Sequence, residues 1–337
     1  MIDSINIKWT MTTKFMKRLK SPGTLARLGK NIYRGDYFYL KHPYGYTNIQ
    51  VKFDLDTRDV SMEMSVPKLL QGHNVFGSNN VEELALAAIG IVYGQLGLEY
   101  TDDEQDIIQN ARICMGRIDI TCSFRLKSQP VVQDALVFIF QHVQAEGLSW
   151  SGYGSDGVET IYNGQRSTRV SDKFYNKYVE LEKNKIPNGL PERERILKYA
   201  EGLLRFEVTL RAKELKRLGL DYADQWSQER VKNILMTRIA KFKLHGALTE
   251  QLEQPIIEGL SKTQRVFYAL RQQGVDLAKV PSYAPLIRAR NAIIADHGHD
   301  IFLPLGVGSE LSLDTLLTAK NAYFCAPKGL VMRGAIF

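Results

Sequence analysis

The chain has 337 residues, 44% of them hydrophobic, with 44 Lys and Arg against 37 Asp and Glu, a formal net charge of +7. That length and apolar content suit two domains or one large one, and the basic excess favours a polyanionic partner, nucleic acid first. Three cysteines without CxxC spacing (Cys114, Cys122, Cys325) argue against a disulfide framework or a cysteine zinc site and fit a reducing compartment.

Met1–Ser4 lacks the basic-then-apolar pattern of a signal peptide, and Ile5–Trp9 reads as a first strand. Residues 14–34 carry Lys14, Lys17, Arg18, Lys20, Arg27, Lys30 and Arg34 and no acid, which reads as a DNA-facing arm. Residues 50–56 and 60–66 alternate apolar and polar side chains across Thr57-Arg58-Asp59 and predict an antiparallel hairpin with one face buried. Asn79 with Glu82 marks a capped helix start. The apolar body of that helix, 84–98, contains Gln95, Gly90, Gly94 and Gly97 and falls short of the roughly 20 residues of a membrane span. A helix over 103–110, a strand over 117–124 and a helix over 130–145 follow. Ser151–Gly157 reads as a loop by composition. Residues 158–162 and 173–178 read as a hairpin, 183–191 as a connector, 192–202 as a helix and 203–211 as a strand. The sum is an α+β plan, an antiparallel sheet of five or six strands with helices on one face. From about 222 the pattern turns helical, over 225–244, 249–259, 262–273 and 311–319, with Pro281 and Pro285 as separators. The expected division is a catalytic domain over 1–222 and a helical C-terminal domain over 223–337, with a DNA-binding or assembly role.

Three strands each carry one carboxylate on their polar side: Glu63 in Ser61–Ser65, Asp119 in Arg117–Thr121 and Glu207 in Arg205–Thr209. The apolar side must face the helices, so all three acids share the open face of the sheet. Like charges gathered there need a compensating cation, and a hard, oxygen-seeking ion such as Mg²⁺ or Mn²⁺ suits them. Between the second and third strands lies Phe174-Tyr175-Asn176-Lys177-Tyr178. A tyrosine here has the chemistry to attack a phosphodiester, with a lysine to neutralise the phosphate; spacing leaves Tyr175, Tyr178 and Tyr162 as competing choices. His73, ten residues after Glu63, is a further candidate ligand, whereas His297-Gly298-His299 reads as a polar loop. No Walker loop, GxGxxG or GxSxG motif supports nucleotide-dependent or serine chemistry.

Lys68-Leu69-Leu70-Gln71-Gly72-His73-Asn74-Val75-Phe76-Gly77 is very similar to a segment of the gene II replication proteins of filamentous phages. Gly116-Arg117-Ile118-Asp119, Tyr175–Leu181 and Gly202–Glu207 followed by Leu215–Leu220 resemble the same family in the same order, over roughly residues 60–220. Ile161–Ser167 through Lys177 also resembles the rolling-circle initiators of staphylococcal-type plasmids. The resemblance implies a HUH-type nicking and strand-transfer domain with an RRM-like sheet, in a branch where acids replace much of the usual histidine pair. It singles out Tyr175 as nucleophile, matches Lys177 to a lysine two residues after it, and matches Glu63, Asp119 and Glu207 to acidic strand positions. Arg117, Arg166, Arg205 and Arg211 are then expected on DNA, and Lys262, Arg265, Arg271, Arg288 and Arg290 on phosphates from the helical domain.

The function that follows is rolling-circle initiation. Tyr175 nicks a phage or plasmid origin, giving a 5′-phosphotyrosyl protein and a 3′-OH primer, and later rejoins the strand. The expected partners are double-stranded origin DNA, its exposed single strand, a host helicase and a host polymerase, in the bacterial cytoplasm and away from membranes; a homodimer is left open. A non-catalytic origin-binding control protein, or a relaxase or transposase with the same chemistry, are the alternatives.

Overall fold

A computed structural model describes residues 1–21, 37–40, 42–46, 49–145, 150–153, 158–184, 186–242, 244, 254–272, 277, 283–297, 300–302 and 313–323. Its centre is one antiparallel sheet. The strands are β1 (Ile2–Thr10), β2 (Tyr37–Leu40), β3 (Ile49–Asp54), β4 (Asp59–Ser65), β5 (Cys114–Arg125), β6 (Trp150–Tyr153), β7 (Thr160–Asn163), β8 (Val170–Asn176), β9 (Leu203–Arg211) and β10 (Ala322–Tyr323). They are ordered β2-β3-β4-β1-β5-β9-β8-β7-β6, with β10 on β5. The sheet thus has ten strands rather than five or six, and the α+β class holds. The additional strands are short. β6 begins at Trp150 and runs into the stretch whose Ser and Gly content reads as a loop, and residues 154–157 of that stretch lie outside the described residues.

Alternation sets the two faces. Ile5, Ile7 and Trp9 of β1, Met62 and Met64 of β4, Ile118, Ile120 and Phe124 of β5, and Phe206, Val208 and Leu210 of β9 lie on one side, all in one buried cluster. Helices α1 (Thr13–Lys20), α3 (Val81–Gln95), α4 (Asp102–Asn110) and α5 (Gln129–Ala145) cover that side with Phe15, Leu19, Leu84, Ile89, Ile108, Leu136 and Ile139. Each buried aliphatic or aromatic side chain of such a core contributes roughly 1.5–3 kcal/mol. α1 starts where the Thr12 hydroxyl accepts from the Phe15 N–H. Of the expected basic arm, Lys14, Lys17, Arg18 and Lys20 lie on α1, with Arg18 donating to the Leu96 carbonyl at 3.0 Å. Arg27, Lys30 and Arg34 lie outside the described residues.

The other face is not left open along its whole length. α2 (Val66–Gln71) ends at Gly72, left-handed at φ 81°, where an added Cβ would stand 2.4 Å from Leu190. The chain then runs through His73–Phe76. Val75 and Phe76 join Leu181 of α6 (Lys177–Lys183), Ile196 and Ala200 of α7 (Arg193–Ala200), and Leu203 in a second, smaller cluster. By alternation Leu203 shares its side of β9 with Arg205 and Glu207, so this cluster roofs one end of the polar face.

The region after 222 packs in two ways. α8 (Ala212–Leu218) and a short 3-10 turn, Ala223–Gln225, lead to α9 (Gln228–Ala240). Val231, Leu235, Ile239, Phe242 and Leu244, with Leu313 and Leu317 around α13 (Leu313–Leu316), join the main core. Phe242 lies 5.3 Å from Phe174 and 5.8 Å from Phe206, directly behind the strands that carry Tyr175 and Glu207. Arg238 pairs with Asp172 on the core side of β8. α10 (Gln254–Gly259), α11 (Lys262–Gln272) and α12 (Tyr283–His297) instead form a cluster of their own around Tyr268, Leu286 and Ile293. The sequence hides α12 because Pro285 reads as a breaker; it stands in the first turn, where a proline's missing N–H is harmless. His297 ends that helix, and His299 lies outside the described residues. Among the described residues no helix is long and apolar enough to cross a membrane.

Candidate active site

The polar face brings Glu63 (β4), Asn6 (β1), Arg117 and Asp119 (β5), Glu207 (β9), and Lys173 and Tyr175 (β8) across five neighbouring strands. Two irregularities shape it. Ile2 opposes Ile120 and Ser4 opposes Asp119, so Asp3 is an extra residue. Its buried carboxylate accepts from Ser65 Oγ at 2.9 Å and from Asn74 Nδ2 at 2.9 and 3.0 Å. Gly116 is the second extra residue, between Met115 and Arg117. A Cβ there would stand 2.5 Å from Asn6 Oδ1, so glycine lets Asn6 reach Glu63 at 3.1 Å.

The acids share the face as expected, and Arg117 gathers two of them. Its guanidinium donates to Asp119 through Nε at 3.0 Å and Nη2 at 2.8 Å, and to Glu63 through Nη1 at 2.8 Å. Asp119 is buried, and burial and then the charge of Glu207 push its carboxyl up to about 6 against the pull of Arg117. Among the described residues no three His, Cys, Asp or Glu side chains converge closely enough to cage an ion. His73 is engaged within its own segment. Its Nδ1 accepts from the Val75 N–H at 3.3 Å, its ring meets Phe76 edge-on at 4.6 Å, and burial, then Lys177 and Arg205, pull its imidazole down to about 3.

Geometry separates the three tyrosines. Tyr175 Oη donates to Glu207 Oε2 at 3.1 Å, and the side chain is 3% exposed. Burial, then Glu207, raise its phenol well above the usual range. Tyr178 lies on α6, not on the strand, and donates to Glu182 at 2.8 Å. Tyr162 stands opposite Lys173 on β7.

Lys177 does not stand on the strand beside Tyr175, and Lys173 does. β8 ends at Asn176, whose side chain accepts from the Val179 N–H, so Lys177 opens a helix instead of continuing the strand. Lys177 is fully buried and donates to Asn74 Oδ1 at 2.7 Å and to Glu180. Burial pulls its ammonium down to about 8 despite Glu180, while Lys177 and Lys68 overcome burial to hold Glu180 near 2. Lys173 lies on the Tyr175 side of β8. Its Nζ is 2.9 Å from Glu207 Oε1 and 4.2 Å from the centre of the Tyr175 ring.

A pH test follows for Glu180. Its folded carboxyl lies below the ordinary 4.5, so the stability it adds is full above that value and drains away as pH falls toward 2. The gap in urea midpoint between the native chain and Glu180→Gln is expected to be widest near neutral pH and to close between pH 4.5 and 2. A gap that stays constant across that window would remove Glu180 from the network.

The expected DNA-contacting arginines divide. Arg166 is exposed in the turn between β7 and β8, and Arg211, half-buried, donates to Ser171 Oγ at 3.4 Å. Arg117 is engaged with Glu63 and Asp119. Arg205 is 1% exposed and donates to Ser123 Oγ at 2.9 Å and to the Asn74 and Val75 carbonyls, so it anchors the roof and does not face solvent. In the helical region Lys262, Arg265 and Arg288 are exposed, whereas Arg271 donates to the Asp300 carbonyl and Arg290 pairs with Asp300. Lys173, Asp3, Asn74 and Glu180 escaped the sequence reading. Lys173 left a signal there, two residues before Tyr175 on the same side of an alternating strand, and Asn74 and Glu180 lie inside the segments that resemble the gene II family.

The signature of the family described as the N-terminal part of the phage replication-associated protein, the gene II product, matches residues 1–229. The replication-associated protein of Enterobacteria phage I2-2 is 26% identical over 237 residues, covering 69% of this chain and 67% of that protein. Those of Salmonella phage IKe and Enterobacteria phage M13 are 26% and 25% identical over 54% and 48% of this chain. The matches span 47% and 42% of those two proteins, less than half of each. With its matched residues covering nine of the ten strands, the roof, and the carboxylates, lysines and tyrosine of the polar face, the chain belongs to the gene II family of phage replication-associated proteins.

Proposed function

We propose that this phage replication protein initiates rolling-circle synthesis by nicking one origin strand with Tyr175. The observation that carries the reading is the hydrogen bond from Tyr175 Oη to Glu207 on a sheet face lined by Lys173, Arg117 and Arg211. Tyrosine is a nucleophile only when a neighbour takes its proton, and cations must meet the phosphate. As the Oη–P bond forms, the P–O3′ bond breaks. The phenol proton passes to Glu207, and O3′ takes up a proton from solvent. The products are a 5′-phosphotyrosyl protein and a 3′-OH that primes a host polymerase behind a host helicase. The reverse transfer rejoins the strand, and bond energy is conserved without ATP. Because Tyr175 is 3% exposed, the phosphate reaches it only when the cover over the ring parts.

Mg²⁺ or Mn²⁺ fits the donor chemistry here. Asp119 and Glu207 offer carboxylate oxygens diagonal to each other on adjacent strands, a donor set that suits a hard divalent cation. These two, with Glu63 once Arg117 turns away, would hold the ion, which when bound would neutralise phosphate oxygens. The sheet with its helices over 1–222 forms the nicking unit in this reading, and exposed Lys262, Arg265 and Arg288 in 223–337 bind duplex phosphates.

The test uses the full chain, Mn²⁺ or Mg²⁺, and supercoiled circles tiled across the replicon that encodes it. Nicked circles with protein joined to the 5′ end, and a tryptic peptide carrying the nucleotide on Tyr175, are expected. Tight binding to one tile with no nick on any would favour the non-catalytic origin binder instead. Nicking without a covalent link would overturn the tyrosine chemistry.

A further inference from the structure

We propose that Lys173 is a catalytic residue of this site, the lysine that compensates the negative charge passing through Tyr175, while Lys177 is a positioning residue. The inference rests on the tyrosine nicking reading. Lys173 directly opposes Glu207 across the β8–β9 ladder, and Tyr175 opposes Arg205 two positions on. Strand alternation therefore places Lys173, Tyr175 and Glu207 on one face at adjacent positions. The contacts are close: Nζ stands 2.9 Å from Glu207 Oε1 and 4.2 Å from the Tyr175 ring centre, while Tyr175 Oη uses the other carboxylate oxygen at 3.1 Å.

That division of Glu207 has a chemical consequence. A carboxylate beside a phenol orients it and accepts its proton, but its negative charge opposes the charge that develops on Oη and on the phosphate. An ammonium on the far oxygen offsets that opposition, and in a buried site such an ion is worth several times its value in water. Lys173 is also reachable, with about one-fifth of its side chain exposed (21%), so it can meet a phosphate oxygen at the mouth of the site. Lys177 does not have this freedom. It is fully buried, committed to Asn74 and Glu180, and 6.0 Å from the Tyr175 ring centre. Through Asn74 it is tied to Asp3 of β1, so it fixes the His73–Phe76 segment over the sheet.

Lys173→Met and Lys173→Arg separate chemistry from binding. The probe is the supercoiled circle that the native chain nicks, with covalent adduct formation followed in a single turnover at saturating protein and affinity measured separately by filter retention. Lys173→Met is expected to slow adduct formation by about 100-fold, the scale of one preorganised charge contact, with binding changed less than about threefold. Lys173→Arg keeps the cation and is expected to restore at least a tenth of the native rate. Thermal melting of both variants identifies a folding defect, and the arginine variant carries the test if methionine unfolds the chain. Native-like adduct formation by Lys173→Met, or equal losses in the methionine and arginine variants with both folded, would overturn the assignment. A native chain that forms no adduct sinks the nicking reading itself, whereas a native adduct unaffected by Lys173→Met sinks only this inference.

Discussion

Tyr175→Phe is expected to lower covalent attachment to origin DNA by at least about 10⁴-fold, the scale on which removing a nucleophile acts, while leaving the fold and DNA affinity close to native. The variant deletes one oxygen. Phe keeps the ring in its buried place beside Lys173, and Glu207 keeps its ion pair with Lys173 at 2.9 Å, so no charge is stranded. One hydrogen bond is lost, worth roughly 1 kcal/mol net, with the carboxylate oxygen still served by one cation or by water. Tyr178 offers no substitute, because its hydroxyl lies on α6 and donates to Glu182. Tyr178→Phe should therefore nick at the native rate. A denaturing gel that separates protein-linked from free DNA reads both outcomes. Substantial adduct in Tyr175→Phe would move the nucleophile elsewhere and remove the purpose of its contact with Glu207.

Period-2 alternation made the acid-bearing strands legible. Glu63, Asp119 and Glu207 could be placed on one face because Met62, Ile118 and Phe206 had to occupy the other, and the structure keeps that division. The same rule failed at Lys177, which alternation puts beside Tyr175, because the Asn176 cap ends the strand one residue earlier and turns the lysine into a buried network. The partner of that network, Asp3, was equally hidden. A bulge inverts the phase of one residue, and nothing in Ile2-Asp3-Ser4 announces it. Arg117 illustrates a third limit. Sequence shows a basic residue on a polar face, but not that neighbouring carboxylates engage the guanidinium before any phosphate arrives. The roof over Arg205 is a contact between segments about 130 residues apart, which local pattern cannot reveal.

That roof supplies the largest expected stability effect. Arg205→Met is expected to destabilise the chain by about 2–5 kcal/mol, lowering the melting temperature by roughly 5–15 °C. Methionine fills much of the stem's volume, so packing is nearly kept. What disappears is the fork that meets the Asn74 and Val75 carbonyls and Ser123 Oγ in a site that is 1% exposed. Two buried carbonyls then lack donors, and an unsatisfied buried polar group costs about 1–3 kcal/mol. Arg205→Lys should recover only part of this, since one compact ammonium cannot reproduce a planar fork to two carbonyls. The result also decides between two roles for the residue. If Arg205 served chiefly to grip DNA, its replacement would weaken origin binding and leave melting unchanged. Anchoring predicts the reverse order: melting falls first, and adduct formation falls with it, because the Asn74 released by Arg205 is the residue through which Lys177 and Asp3 hold the cover beside Tyr175.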